Sequence, residues 1–133
     1  MTGFDLAVMC LALNVYHEAG NEPITGQYAV AFVTINRVKE INGDVCTEVF
    51  KDSQFSWTKH ALDKRGVLFA SYRPKKNNPA WKRAQLVAKT VLGSEVTDFT
   101  LGSKWYHADY IQKPIWAYNL TKVAQYGHHI FYR

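Results

Sequence analysis

The sequence predicts a mainly helical α+β fold with a small antiparallel β element from the C-terminal half. Three observations point there. Apolar residues recur at helical spacing through the first forty positions. Asn78-Pro79 opens a second helical stretch that Gly93 closes. The runs Trp105-Tyr-His107 and Gly127-His-His-Ile-Phe-Tyr132 are short, aromatic and free of helical period. The 133 residues fit one domain spanning 1–133, whose core needs neither metal nor disulfide to hold.

Thr2-Gly-Phe-Asp5 has the pattern of a capping box. Leu6, Met9, Cys10, Leu13 and His17 then follow at helical spacing, so a first helix is expected over about Phe4 to Ala19, stopped by Gly20. Glu18 falls in its last turn. There a carboxylate faces the negative end of the helix dipole, which disfavours its charge by a few tenths to about 1 kcal/mol. Asn21-Glu-Pro-Ile-Thr-Gly26 reads as a turn, with Thr25 capping a second helix from Gly26 to Glu40. Its stretch Tyr28 to Ile35 is apolar nearly all round, which marks the buried centre of the fold. Asn36 and Arg37 follow directly; on such a helix they must order a neighbouring loop or reach into a cleft.

Val45 to Phe50 suits one or two helical turns, and Gln54-Phe-Ser-Trp57 an extended segment. Residues 58 to 78 lack a period and carry much charge, as a long surface loop does. In the helix after Asn78, Trp81, Ala84, Leu86, Val87, Ala88, Val91 and Leu92 form the apolar face. Pro114-Ile-Trp116 and Gly127 to Tyr132 are expected to be extended.

Composition narrows the function classes. A net charge of +5 favours polyanionic partners, yet no basic block exceeds Lys75–Lys76, which argues against a nucleic-acid arm. No run of apolar residues is long enough to span a membrane, and no basic region precedes an apolar one at the N-terminus, so no secretory signal is expected. Cys10 and Cys46 sit in apolar contexts and read by default as buried free thiols, a disulfide remaining open.

Of the chemistries available, zinc fits poorly. His17-Glu18 starts like H-E-x-x-H, but Asn21 stands where the second His belongs, and adjacent His128 and His129 would point to opposite strand faces. No G-x-S-x-G occurs, and neither cysteine has electropositive neighbours. Neither a metal nor another cofactor is expected. Carboxylates remain, and Glu18 and Glu22 bracket the turn between the two best-packed predicted helices.

The run from Leu13 to Val38, Leu-Asn-Val-Tyr-His-Glu18-Ala-Gly-Asn-Glu22-Pro-Ile-Thr-Gly26-Gln27 onward to Asn36-Arg37-Val38, resembles the signature of the SleB-type cell wall hydrolases. That family includes spore-cortex-lytic enzymes and phage endolysins. Its pattern is an aromatic, one residue, E-A-R-G-E, then G-Q-x-A-V-A and N-R-V. Later blocks match in order: Val45-Cys46, Gln54-Phe-Ser-Trp57, Tyr106-His107, Pro114-x-Trp116 and Gly127-x-His129-x-Phe131-Tyr132. One departure stands out: the family's Arg-Gly between the glutamates is here Gly20-Asn21.

The resemblance implies a lysozyme-like, lytic-transglycosylase-like domain. It also implies that Glu18 is the catalytic acid/base for the β-1,4 bond between N-acetylmuramic acid and N-acetylglucosamine. A lytic transglycosylase needs one carboxyl group, whereas a hydrolase normally needs two. Glu22 is the candidate second carboxylate, although it also suits a turn or capping role. Gln54, Ser56, Trp57, Tyr106 and His107 are candidates for sugar binding or for orienting Glu18, each with a packing or structural role as the alternative. Other readings are a water-using muramidase, a zinc amidase or peptidase of the stem peptides, and a non-catalytic wall-binding module. The expected partner is the peptidoglycan glycan strand, met by a monomer made in the cytoplasm and released or exported to the wall.

Overall fold

The computed structural model describes residues 2–51 and 54–133. Helix α1 spans Gly3–Ala19 and opens on the expected capping box, with Thr2 accepting from the Asp5 N–H and Asp5 from that of Thr2. Helix α2 spans Ile24–Ile41, α3 Val45–Val49 and α4 Pro79–Leu92. Asp44 caps α3 through the Thr47 N–H, and Asn78 caps α4 through those of Ala80 and Trp81. Strands β1 (Trp105–Ala108), β2 (Lys122–Tyr126) and β3 (His129–Tyr132) form an antiparallel sheet in the order β1-β3-β2. The fold class is the expected one, mainly helical with a small antiparallel sheet.

The main core lies among α1, α2, α3 and α4, around Leu11, Val15, Phe32, Val49, Trp81 and Val87. A smaller one joins sheet to helices, where Phe131 packs on Ala19, Ala29, Val30 and Val33. From Ala29 to Val33, α2 is buried without interruption, so it is the central helix its composition predicts.

Several local expectations are corrected. Thr25 does not cap α2. The helix starts two residues earlier than expected, at Ile24, Pro23 occupies the cap position, and Gln27 Nε2 donates back to the Glu22 carbonyl at 3.0 Å. Proline fixes φ at a value that suits entry into a helix, so the chain turns into α2 here although the cap position offers no side-chain acceptor. Leu86 is 62 % exposed, on the side of α4 opposite the Trp81–Ala84–Ala88–Val91 stripe. The segment expected to be extended at Gln54–Trp57 is so only at Phe55, and a 3₁₀ turn follows from Ser56 to His60. That turn lets the Trp57 indole N–H reach Asn14 Oδ1 on α1, at 2.8 Å. Pro114 is extended, but Ile115–Asn119 is again a 3₁₀ turn. The 58–78 loop is largely irregular, tightened by a bridge between Leu62 and Leu68 and a 3₁₀ turn at Ala70–Tyr72.

The cysteines are not free. Cys10 and Cys46 form a disulfide that ties α1 to α3 across a Cα–Cα distance of 5.2 Å. Apolar flanks are shared by buried thiols and buried disulfides, so the local sequence had no means of choosing between them.

Candidate active site

Glu18 stands one helical turn beyond Asn14 on the same face of α1. Asn14 is fully buried, donating to Thr34 Oγ1 at 3.2 Å and accepting from Trp57. Glu18 is half-buried, and its Oε1 accepts a hydrogen bond from the Tyr106 hydroxyl at 2.6 Å. Burial pushes the Glu18 carboxyl above the ordinary carboxylate range, while the Tyr106 hydrogen bond and the nearby Arg37 charge pull in the other direction. The position at the C-terminal end of α1 acts with burial. Tyr106 is held well above the usual phenol value by burial and by Glu18, so its hydroxyl stays a donor.

Tyr106 reaches Glu18 because α2 fixes the approach to β1. Asn36 Nδ2 donates to Asp98 Oδ2 at 2.9 Å and to the Ser103 carbonyl at 3.0 Å. Asp98 in turn accepts from the Thr100 and Gly102 N–H groups, closing the turn before β1. Arg37 Nε donates to the Lys104 carbonyl at 2.6 Å, and its Nη1 to Gln54 Oε1 at 2.7 Å. The Asn36-Arg37 pair therefore does both things a polar pair on a buried helix can do. Asn36 orders a loop, and Arg37 joins the Glu18 surroundings to Gln54.

Strand alternation separates the neighbouring candidates. Tyr106 faces α1 and packs on Phe131 and His129, with ring centroids 5.4 and 4.9 Å away. His107 faces the other side. Its Nε2 meets the Tyr132 hydroxyl and its Nδ1 the Ala108 carbonyl, each at 2.8 Å, and Trp116 lies edge-on against it. Both His107 nitrogens are thus engaged away from Glu18. Trp57 stacks on His17 with centroids 4.3 Å apart, so one face of its indole is covered by protein. Gln54 is half-buried and Ser56 exposed.

Glu22 is held by the β2–β3 turn, where its Oε1 accepts from the His128 N–H. That turn needs Gly127, whose φ is +61° and where a Cβ would meet Glu22 Oε1 and come within 2.8 Å of Pro23 Cδ. Gly127→Ala is therefore expected to lower stability by about 1–3 kcal/mol in thermal denaturation. Among the described residues, no three His, Cys, Asp or Glu side chains cluster as metal ligands would.

Two participants were not singled out from the sequence: Asn14, which anchors Trp57, and Asp98, which builds the turn before Tyr106. Asn14 carries a usable signal, an amide inside an otherwise apolar helix face. Asp98 carries only a short polar turn pattern.

Tyr106→Phe removes one hydrogen bond to Glu18 and leaves the ring packing in place. The hydroxyl favours the ionised carboxylate, so its loss moves Glu18 further up and the alkaline limb of any Glu18-dependent activity to higher pH. A rate loss of roughly ten- to a hundredfold is expected from the freed carboxyl, read as kcat against pH. An unshifted limb would show that the hydroxyl does not act on Glu18.

A family described as cell wall hydrolase matches residues 21–132, beginning just after the Glu18 turn. Among solved structures, the catalytic domain of the Bacillus cereus SleB protein is 24% identical, with a TM-score of 0.69 over 97% of this chain and 91% of that one. The catalytic domain of the germination-specific lytic transglycosylase SleB from Bacillus anthracis is 26% identical, again at 0.69, over 96% of this chain and 93% of that one. No curated protein matches. With its helical body, its three-stranded sheet and a family match over most of its length, the chain belongs to the cell wall hydrolase family.

Proposed function

We propose that this chain cleaves the β-1,4 bond between N-acetylmuramic acid and N-acetylglucosamine in peptidoglycan, as a lytic transglycosylase with Glu18 as its one acid/base. One observation carries the reading: a carboxyl at the end of α1, raised by burial and oriented by Tyr106. The family match and the similarity to a structure described as a lytic transglycosylase support it.

Protonated Glu18 gives its proton to the glycosidic oxygen as the C1–O bond breaks. The resulting carboxylate takes the proton of the muramyl C6 hydroxyl, whose oxygen closes on C1 as a 1,6-anhydro ring. The single carboxyl is restored, and no water is consumed. Desolvation suits the first half of this cycle, and Tyr106 and Arg37 steady the anion formed between the halves.

Gln54, fixed by Arg37, and exposed Ser56 are the candidates to hydrogen-bond the sugar, while Trp57 serves as a wall braced by His17. His107 supports the sheet that carries Tyr106. We read residues 1–133 as one catalytic unit acting on the wall as a monomer, reached by release or export from the cytoplasm. No helix among the described residues is long and apolar enough to cross a membrane.

The water-using alternative needs a second carboxylate as base or nucleophile. Glu22, the candidate, is already committed to the β2–β3 turn. Mass spectrometry of fragments released from purified sacculi separates the two. Anhydro ends, lighter by one water, are expected; reducing ends would reject the transglycosylase step, and no soluble fragments at all would favour a binding module.

A further inference from the structure

Charge is spread unevenly along the chain. Residues 58–83 hold eight of the sixteen Lys and Arg but one of the eleven Asp and Glu. That segment is net +7 against +5 for the whole chain, so the remainder is net −2. Its single acid, Asp63, pairs with Arg65. None of its other cations has a carboxylate within ion-pair distance among the described residues.

The same segment helps to enclose an apolar cavity of about 490 Å³, a volume within the range of sites for drug-sized molecules. Leu13 of α1 and Trp81 of α4 are buried in its wall, while Met9 and Leu62, also lining it, are each 37 % exposed. Leu68 adds to the lining, and on either side of it Val67 and Phe69 are 40 % and 48 % exposed. The charged groups of the lining are Arg73 and Lys76, both exposed, with no acid among them. Lys76 and Trp81 also line a second cavity together with Lys82, so the basic surface continues from the loop onto α4.

An occupant has to match both characters. A soluble polyanion, nucleic acid included, would meet the cations and leave the apolar lining, Val67 and Phe69 in water. A neutral apolar molecule would leave the cations without a partner. An anionic phospholipid meets both, with phosphate for Arg73 and Lys76 and hydrocarbon for the apolar groups. Basic residues draw a protein to an anionic leaflet, and apolar side chains at headgroup depth hold it there.

We propose that the 58–83 face is a docking surface for an anionic lipid bilayer. Arg73 and Lys76 sit on a headgroup phosphate, Leu62, Val67 and Phe69 enter the interface, and the cavity takes the apolar part of the bound lipid. This surface shares no residue with the Glu18, Tyr106 and Arg37 group and does not depend on the cleavage reading.

The test is co-sedimentation of the intact protein with vesicles of equimolar phosphatidylglycerol and phosphatidylcholine, against vesicles of phosphatidylcholine alone. Partition into the anionic vesicles is expected to be at least about tenfold higher. Arg73→Gln/Lys76→Gln should lower it roughly tenfold, whereas Lys113→Gln/Lys122→Gln, which removes equal charge beyond β1, should cost less than about threefold. Val67→Ser/Phe69→Ser should lower it at least about fivefold. All six positions are exposed, so circular dichroism should show every variant folded. Equal partition into the two kinds of vesicle overturns the proposal, as does an equal or larger loss from the Lys113/Lys122 pair. Unchanged partition of Val67→Ser/Phe69→Ser, with soluble polyphosphate bound as tightly as the vesicles, also overturns it and makes the face a polyanion site.

Discussion

Glu18→Gln should lose roughly 10²–10⁴-fold in sacculus lysis while keeping the fold, because the amide fills the same space but has no proton to give and take back. The same change should stabilise the protein at neutral pH. Glu18 is raised in the folded state by burial, so its ionised form is disfavoured by folding relative to the unfolded chain. That cost is absent below the unfolded value, near 4.5, and grows as pH rises above it until the folded group ionises too. The Tm gain of Glu18→Gln over wild type should therefore be larger at pH 7 than at pH 4. Wild-type activity should fall as pH climbs through the raised Glu18 value, since the acid must start protonated. Full lysis by the variant would remove Glu18 from the mechanism, and a pH-independent Tm difference would contradict its burial.

The second large effect concerns the disulfide. Cys10 and Cys46 are separated by 36 positions, and a cross-link closing a loop of that size contributes about 3–4 kcal/mol in the chain-entropy account. Replacing both by Ala, or reducing the wild type, should lower Tm by roughly 10–15 °C. The bond meets α1 near its middle, about two helical turns before Glu18, so the double variant should retain activity well below its new Tm. A reduced protein that melts with the oxidised one would show the thiols to be unpaired in solution.

The helices were legible because their signals are local. The Thr2–Asp5 box, the Asn78-Pro79 entry and the apolar length of α2 each decide structure within one or two turns of chain. The 3₁₀ turns at 56–60 and 115–119 were not, because aromatic residues separated by polar ones suit an extended strand and a tight turn alike. At Trp57 the choice was made by Asn14, 43 positions away. Strand β2 escaped notice for a related reason. Lys-Val-Ala-Gln-Tyr is a half-exposed edge with a register irregularity between Lys122 and Ala124, and it alternates too weakly to stand out. Glu18 was visible through its place at a helix end and through the family resemblance. Its partner Tyr106 came as part of a Tyr-His pair, and only strand alternation assigned the two rings to opposite faces.

The contact between Glu18 and Tyr106 joins points 88 positions apart. A growing polypeptide that has emerged only through α4 can wind its helices, yet it lacks the strand that aims the acid. The Glu18–Tyr106 pair therefore forms only once the sheet has docked on the helices. A chain with helices formed and sheet undocked would hold Glu18 without the hydroxyl that orients it.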